Sequence, residues 1–516
     1  MSTIDYVMIG VYFSVVFLIG LWISRSLNDS DDLFLAGRTL TWPAIGFSLF
    51  ASNISSTTMV GLPGAAYSTG IAVANYEWMA ALVLLFMAVF CLPIFLKSKI
   101  TTLPELLEKR FNSKARSYYS GITIFLSIIV DTAGGLYAGS LVLQLFFPSL
   151  AIWQTCVGLA LFAGLYTAFG GLKAVVYTDF IQAIVLLSGS FFLTYIIFDK
   201  LQMSWSDFTA TLPEGHLSLI KPMDDESLPW LGTLTGVPVL GFWYWGTNQY
   251  ITQRLLGAKD LKNARWGSVL AAGLKLIPLF TMVLPGAMAI RLFPGLENPD
   301  MVYPTMIKEL LPSGVMGLVI AGLIAAIMSS VDSTLNSAST LVLHDFVLPR
   351  HPNISSKRLL FLGRAATFTF MGIAAVWAPL IGTFGGLYSY LQQFFAILVP
   401  PVVTIYVMGM FTNKGRDSIA FKTLVFGHIL GVILFGLGQA KIISIHFTIS
   451  AGITTFLSFA FYYLMSLNDE AQTVNKDVSF SLSDAKPSEG LTIWQDYRIY
   501  AGIVFIAIIT LVISFW

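Results

Sequence analysis

Lys275 lies inside an otherwise apolar run, AAGLKLIPLFTMVLPGAMAI from Ala271 to Ile290, in a chain with only 11% charged residues. An ammonium at bilayer depth costs at least about 2.5–3.5 kcal/mol on insertion scales, so it faces a protein interior or a wet cavity and takes a partner. The acids inside comparably apolar stretches are Glu77, Asp131, Asp179 and Asp332. A pairing among these groups has two readings. One is a packing salt bridge between helices; the other is a functional site facing a wet cavity, the default for ionisable residues at this depth.

A second set of groups suits a cation. The run AAIMSSVDSTLNSAST holds Ser329, Ser330, Ser333, Ser337 and Asp332 within three turns, and Ser330, Ser333 and Ser337 share a face at i, i+3, i+7. Hydroxyls, with carbonyls freed at a helix break, supply the neutral oxygens that sodium takes. Hydroxyl-rich helices also simply pack closely.

Two apolar segments carry the residues that break helices. One has Ser48, Ser52, Asn53, Ser55, Ser56, Thr57 and Thr58 at mid-run, followed by Gly61, Pro63 and Gly64; the other has Gly241, Gly246, Thr247, Asn248 and Gln249 amid Trp243, Tyr244 and Trp245. Freed backbone groups are tolerated at bilayer depth where side chains or cavity water satisfy them. Two such segments five helices apart fit a five-plus-five inverted repeat that binds solute and ions at the breaks. Reactive chemistry is weakly supported. The chain lacks HExxH, GxSxG and P-loop motifs, and its five histidines are scattered.

The elements that must hold these groups are membrane helices. Hydrophobic residues are 56% of 516 and mean hydropathy is +0.76, a composition that many spanning helices explain. About fourteen apolar runs are long enough to cross, the first at 4–24 and the last at 499–516. The first run has Asp5 near its start and no small-residue cleavage site after it, and reads as a retained helix. If the helices alternate from an outside N-terminus, 23 of the 29 basic residues fall inside, five fall outside and Lys275 remains within a span. That split favours both termini outside. The net charge of +1 therefore says nothing about nucleic acid. Cys91 and Cys156 fall within spans and read as core residues. No soluble domain fits, so 1–516 reads as a single transmembrane domain.

The stretches DLFLAGRTLTWPAIGFSLFASNISS, GIAVANYEWMAA, ITTLPELLEKRF, YTAFGGLKAVVYTDFIQ, WYWGTNQYITQRLLGAKD and AAIMSSVDSTLNSAST resemble the sodium/solute symporter family, and within it the sodium/glucose and sodium/galactose branch. The resemblance runs from about Asp31 to the last helix. It implies an all-α protein with the leucine-transporter-like five-plus-five repeat and alternating access. The extra helix is then 4–24, the ten-helix core about 43–411 and the peripheral helices about 418–516. It also implies sodium as coupling ion and a neutral sugar, a hexose such as glucose or galactose, as substrate, in a plasma membrane, expected to be a bacterial inner membrane.

Carried over position by position, the family's common sodium site falls on Ala51, Ile54 and Ala326 through backbone carbonyls and on Ser329 and Ser330 through hydroxyls. A second sodium held by some members maps to Asp179 and Ser333, with Asp332 where a small or hydroxyl residue is usual. Sugar-contacting positions map to Asn53, Glu77, Tyr244, Trp245, Lys275 and Gln392. Gates map to Leu62, Tyr76 and Tyr388 toward the outside and to Tyr244 toward the inside. Thr58 and Gly241 are smaller than the family pattern, which leaves another polyol such as myo-inositol open. The absence of a basic residue suited to a carboxylate in the second or third span argues against sialic acid. A membrane sensor would need an appended signalling domain, which a chain ending at Trp516 after a helix does not suggest. An uncoupled sodium channel is the remaining rival.

Overall fold

The computed structural model describes residues 1–24, 36–167, 172–384, 386–415, 417–467, 476–485 and 492–516, and of some further helical residues, Asp179 among them, only the backbone. In chain order the main helices are α1 (Thr3–Ser24), α2 (Trp42–Asn53), α3 (Ser56–Thr69), α4 (Ile71–Lys97), α5 (Ser113–Gln144), α6 (Ile152–Thr167) and α7 (Leu172–Leu201). Next come α8, built from Trp230–Thr235, Val237–Phe242 and the π turn Trp243–Thr247, then α9 (Gln249–Leu256), α10 (Leu261–Leu292), α11 (Val302–Leu310) and α12 (Val315–Val347). The series ends with α13 (Lys357–Phe384), α14 (Leu387–Leu398), α15 (Pro400–Phe411), α16 (Asp417–Gln439), α17 (Phe447–Met465) and α18 (Tyr497–Ser514). There is no strand among the described residues.

Nine described helices are long and apolar enough to cross a bilayer unbroken, and ten if α14 and α15, bent by 51°, make one span. The remaining runs expected from sequence differ in kind. Those over α1 and α6 contain the shorter apolar helices Thr3–Val15 and Ile152–Leu161. Those at 43–70 and 229–253 are each broken into pieces.

Close helix approach relies on small residues, as expected where lipid removes the hydrophobic drive for association. The most extensive helix contact pairs α2 with α10. A Cβ on Gly46 would lie 2.6 Å from Leu270, and one on Gly267 would lie 2.6 Å from Ile45. Helix α12 is the buried centre, packed by α1, α5 and α7. The extra helix α1 is pinned to it through Asp5, whose carboxylate accepts the Gly314 and Gly317 N–H groups at 2.7 and 3.0 Å. Both donors lie at the N-terminal end of α12, where orphan amides and the helix dipole favour an anion.

Candidate functional site

Lys275 sits where α10 loses its regular ladder. Pro278 cannot donate to the preceding turn, the Leu276 N–H reaches back only to Gly273, and a π turn follows at Leu279–Val283. The side chain is fully buried. Its Nζ donates to a Glu77 carboxylate oxygen and to the Asn53 side-chain carbonyl, and it lies 5.3 Å from the centre of the Trp245 ring. Three residues singled out on three separate segments are thus joined by one ammonium.

Glu77 is placed by the start of α4. Gly70 has φ +88°, and a Cβ there would lie 2.2 Å from the His216 carbonyl. Only glycine fits, and the Ile71 N–H then bonds that carbonyl at 2.9 Å. Asn75 fastens the turn by donating to the Ala72 and Leu219 carbonyls at 2.9 and 2.7 Å.

Both breaks read from sequence are present, each with one backbone carbonyl bonded by a side-chain hydroxyl. The first lies between α2 and α3, where Ile54 and Ser55 leave helical geometry and the Thr58 hydroxyl donates to the Asn53 backbone carbonyl at 2.5 Å. The second is at Asn248, extended at φ −70°, ψ 126°, with the Tyr119 hydroxyl donating to the Thr247 carbonyl at 2.8 Å. Such side-chain capping makes broken helices affordable at bilayer depth.

Between the breaks is a cavity of about 100 Å³, lined by groups that include Asn53, Glu77, Tyr244, Trp245 and Gln392. It also takes in Thr58 and Gly241, the two small positions noted in the sequence. Lys275 stands behind Glu77 and Asn53 instead of on the wall. On one side the Tyr76 and Tyr388 rings meet edge to face at 5.3 Å and 74°, with Leu62 fully buried. Beyond them lies a vestibule of about 240 Å³ that includes Asp300, Glu226 and His446. On the other side the Tyr244 and Tyr250 hydroxyls are 2.5 Å apart. The cavity is therefore closed at both ends by tyrosine pairs.

The positions expected to hold a cation lie on α2 and α12, which pack together. The last ladder bond of α2 joins the Ile54 N–H to the Phe50 carbonyl, and the ladder resumes with Met59 to Ser55. The Ala51 and Ile54 carbonyls fall in the interval where a helix end leaves acceptors over. Ala326 and Ser329 are buried on α12, and Ser330 reaches the cavity wall. For the second cation position, Ser333 and Asp332 are buried, whereas the side chain of Asp179 lies outside the described residues.

Sequence reasoning assigned no role to two residues here. Asp131, carried on the π turn Leu126–Thr132, lines the cavity, and its Oδ2 has no hydrogen-bond partner among the described residues. Its position as an acid in an apolar run was the available signal. Arg254 is fully buried on α9 and donates to the Ser48 hydroxyl at 2.8 Å, to the Tyr250 carbonyl and to the Ser333 hydroxyl at 3.5 Å. In sequence it stands at the end of an apolar run like any flanking cation, and nothing in its local sequence marks it as buried.

Comparison with known proteins bears on this geometry. The model of the sodium:solute symporter family matches residues 33–427. The sodium/glucose cotransporter of Vibrio parahaemolyticus is 36% identical over 467 residues, covering 84% of each chain. The sodium/myo-inositol cotransporter 2 of Mus musculus is 35% identical over 475 residues, 84% of this chain and 70% of that one. Among solved structures, the outward-open, substrate-bound Na+-coupled sialic acid symporter superposes with a TM-score of 0.79 at 21% identity, over 92% of this chain and all of that one. That likeness concerns the fold, which is the leucine-transporter-like five-plus-five arrangement of broken helices.

Proposed function

The chain belongs to the sodium:solute symporter family and is a sodium-coupled membrane transporter of a small solute, and we propose that the solute is a neutral sugar. The observation that carries this reading is the joining of Glu77, Asn53 and Lys275 beside a closed cavity floored by aromatic rings. Carboxylate and amide groups suit hydroxyl pairing, and the Trp245 and Tyr244 faces suit the apolar side of a pyranose. A site built to pair hydroxyls rejects ligands that leave its buried polar groups unpaired.

In this reading the substrate is held by Asn53, Glu77, Tyr244, Trp245 and Gln392, with Lys275 bracing the first two until a hydroxyl draws it forward. Asp131 adds a second acceptor opposite. The coupling sodium is held by the carbonyls of Ala51, Ile54 and Ala326 and the hydroxyls of Ser329 and Ser330. Because α2 and α12 also border the cavity, sodium and sugar each order the same helix break, which is how binding of one favours the other. Tyr76 with Tyr388, and Tyr244 with Tyr250, are the two gates, and residues 43–411 form the moving core.

The basic-residue split supports both termini outside a plasma membrane, which puts Tyr76 and Tyr388 on the outer side. A cyclic polyol is the second reading. Thr58 supports it, because its hydroxyl is spent on the Asn53 backbone, and so does Gly241, where a Cβ would meet Val83 no closer than 3.4 Å; both leave extra room. The test is thermal stabilisation of the purified protein by glucose, galactose, mannose and myo-inositol, with and without sodium. A sodium-dependent shift with a hexose is expected. A shift with myo-inositol alone selects the second reading, and none with any of them removes both.

A further inference from the structure

Away from the substrate cavity, a cleft of about 930 Å³ opens between α14, α16 and α17. Its floor is at Gly431, where a Cβ would lie 2.6 Å from the Ile397 carbonyl, so α16 and α14 touch there. Higher up the helices part, and a Cβ on Gly438 would meet nothing within 4 Å. From Gly431 to Gln439 the slot climbs eight residues, about 12 Å at the helical rise, which is most of one leaflet of a hydrocarbon core about 30 Å thick. Below the mouth the walls are mixed, with Ile397, Leu434 and Phe435 beside Gln393, Ser450 and Thr454. A slot of this depth, with Ile397, Leu434 and Phe435 along it, has the form of an acyl-chain site.

The mouth selects the headgroup. Asp224, Asp225 and Glu226 stand on one side and Lys441 on the other. Asp225 is fixed by N–H donors from Ser227 and Leu228 at 2.8 and 3.1 Å, while Asp224, Glu226 and Lys441 are exposed. His446 at the rim is half-buried and accepts from the Thr448 N–H. Burial pushes its pKa down to about 4, so it adds no charge at neutral pH. Asp225 already has Lys221 beside it, and the exposed Asp224 and Glu226 still outnumber Lys441 and repel an anionic headgroup. They suit one that carries a primary ammonium, which donates to carboxylates, beside a phosphate for Lys441.

We propose that this cleft binds one phosphatidylethanolamine molecule of the leaflet that meets Lys441, ammonium toward the acids and phosphate toward the lysine. The occupant would lie against Gln393, Ala396 and Ile397 on α14, the helix that also carries Tyr388 and Gln392 on the cavity side. It therefore backs the helix that closes the cavity. The proposal does not depend on which solute is carried.

The test is native mass spectrometry of the full chain in mild detergent, with palmitoyl-oleoyl phosphatidylethanolamine or phosphatidylglycerol added. One phosphatidylethanolamine should be retained, at least tenfold more tightly than phosphatidylglycerol. Gly438→Trp, which fills open space, should lower that retention at least tenfold at unchanged melting temperature. Lys441→Glu should lower it with the slot intact. Equal retention of the two lipids, retention unchanged in Gly438→Trp, or a co-purifying protein helix that displaces the lipid would each overturn the proposal.

Discussion

One ammonium, Lys275 Nζ, donates both to the Glu77 carboxylate and to the side-chain carbonyl of Asn53, tying α10 to the second turn of α4 and to the broken end of α2. A pair this buried contributes little net stability, yet removing one partner leaves a charge without compensation at about 3–5 kcal/mol. Glu77→Ala and Lys275→Ala should each lower the melting temperature markedly, and the double variant should recover most of the loss. Sugar binding should not recover with it. A double variant that regains both folding and native sugar affinity would reduce the pair to a structural bridge.

The cation site is tested separately. Ser330→Ala removes one proposed oxygen ligand, and a hydrogen bond or ligand contact to a charged group contributes about 1.5–3 kcal/mol. The sodium concentration for half-maximal uptake should rise at least tenfold at saturating sugar. An unchanged sodium requirement in both Ser329→Ala and Ser330→Ala would displace the site from α12.

Arg254 bears on how many sodium ions move. Its guanidinium already reaches the Ser333 hydroxyl at 3.5 Å, so a second sodium at Ser333 and Asp332 must compete with a resident cation. Arg254→Gln frees Ser333 and should raise the number of sodium ions per sugar, read from the reversal potential of transport. Asp179→Asn should lower that number if a second ion is carried. A ratio that neither substitution moves would take the second cation position away from Asp179 and Ser333.

Asp300 should make access to the vestibule pH dependent. Its carboxylate accepts the Leu387 N–H at 2.9 Å at the start of α14, and burial raises its pKa to about 6 despite that bond. Tyr137, Glu226 and His446 are the titratable groups around it. A carboxylate whose pKa is raised by burial favours the closed form when protonated. That preference is complete below the ordinary aspartate value near 4 and is lost as pH rises through about 6. It is worth at most about 3 kcal/mol, from roughly two pKa units. Labelling of Ser68→Cys in the vestibule should slow as pH falls from 7 to 4.5, and Asp300→Asn should flatten the profile. Labelling that speeds up on acidification would reverse the assignment.

The helical class and both broken segments were legible in the sequence because each rests on local rules: apolar length for a span, and clustered hydroxyls, glycine and proline for a break. The acid and cation of the site were legible too, since Glu77 and Lys275 stand out against apolar neighbours. That they bond each other directly, with Asn53 sharing the ammonium, was not, because a contact between residues 198 apart depends on how three helices cross. Arg254 was hidden for a related reason. Its segment, QRLLGAKD, looks like any basic helix end, and only the packing of α9 against α2 and α12 buries it.

Coupling is the centre of the account, and uptake into vesicles holding the purified protein tests it most directly. Sugar should accumulate only with an inward sodium gradient, and faster when the interior is negative, since each sodium moved across 100 mV contributes about 2.3 kcal/mol. Uptake driven by a proton gradient with no dependence on sodium would contradict it.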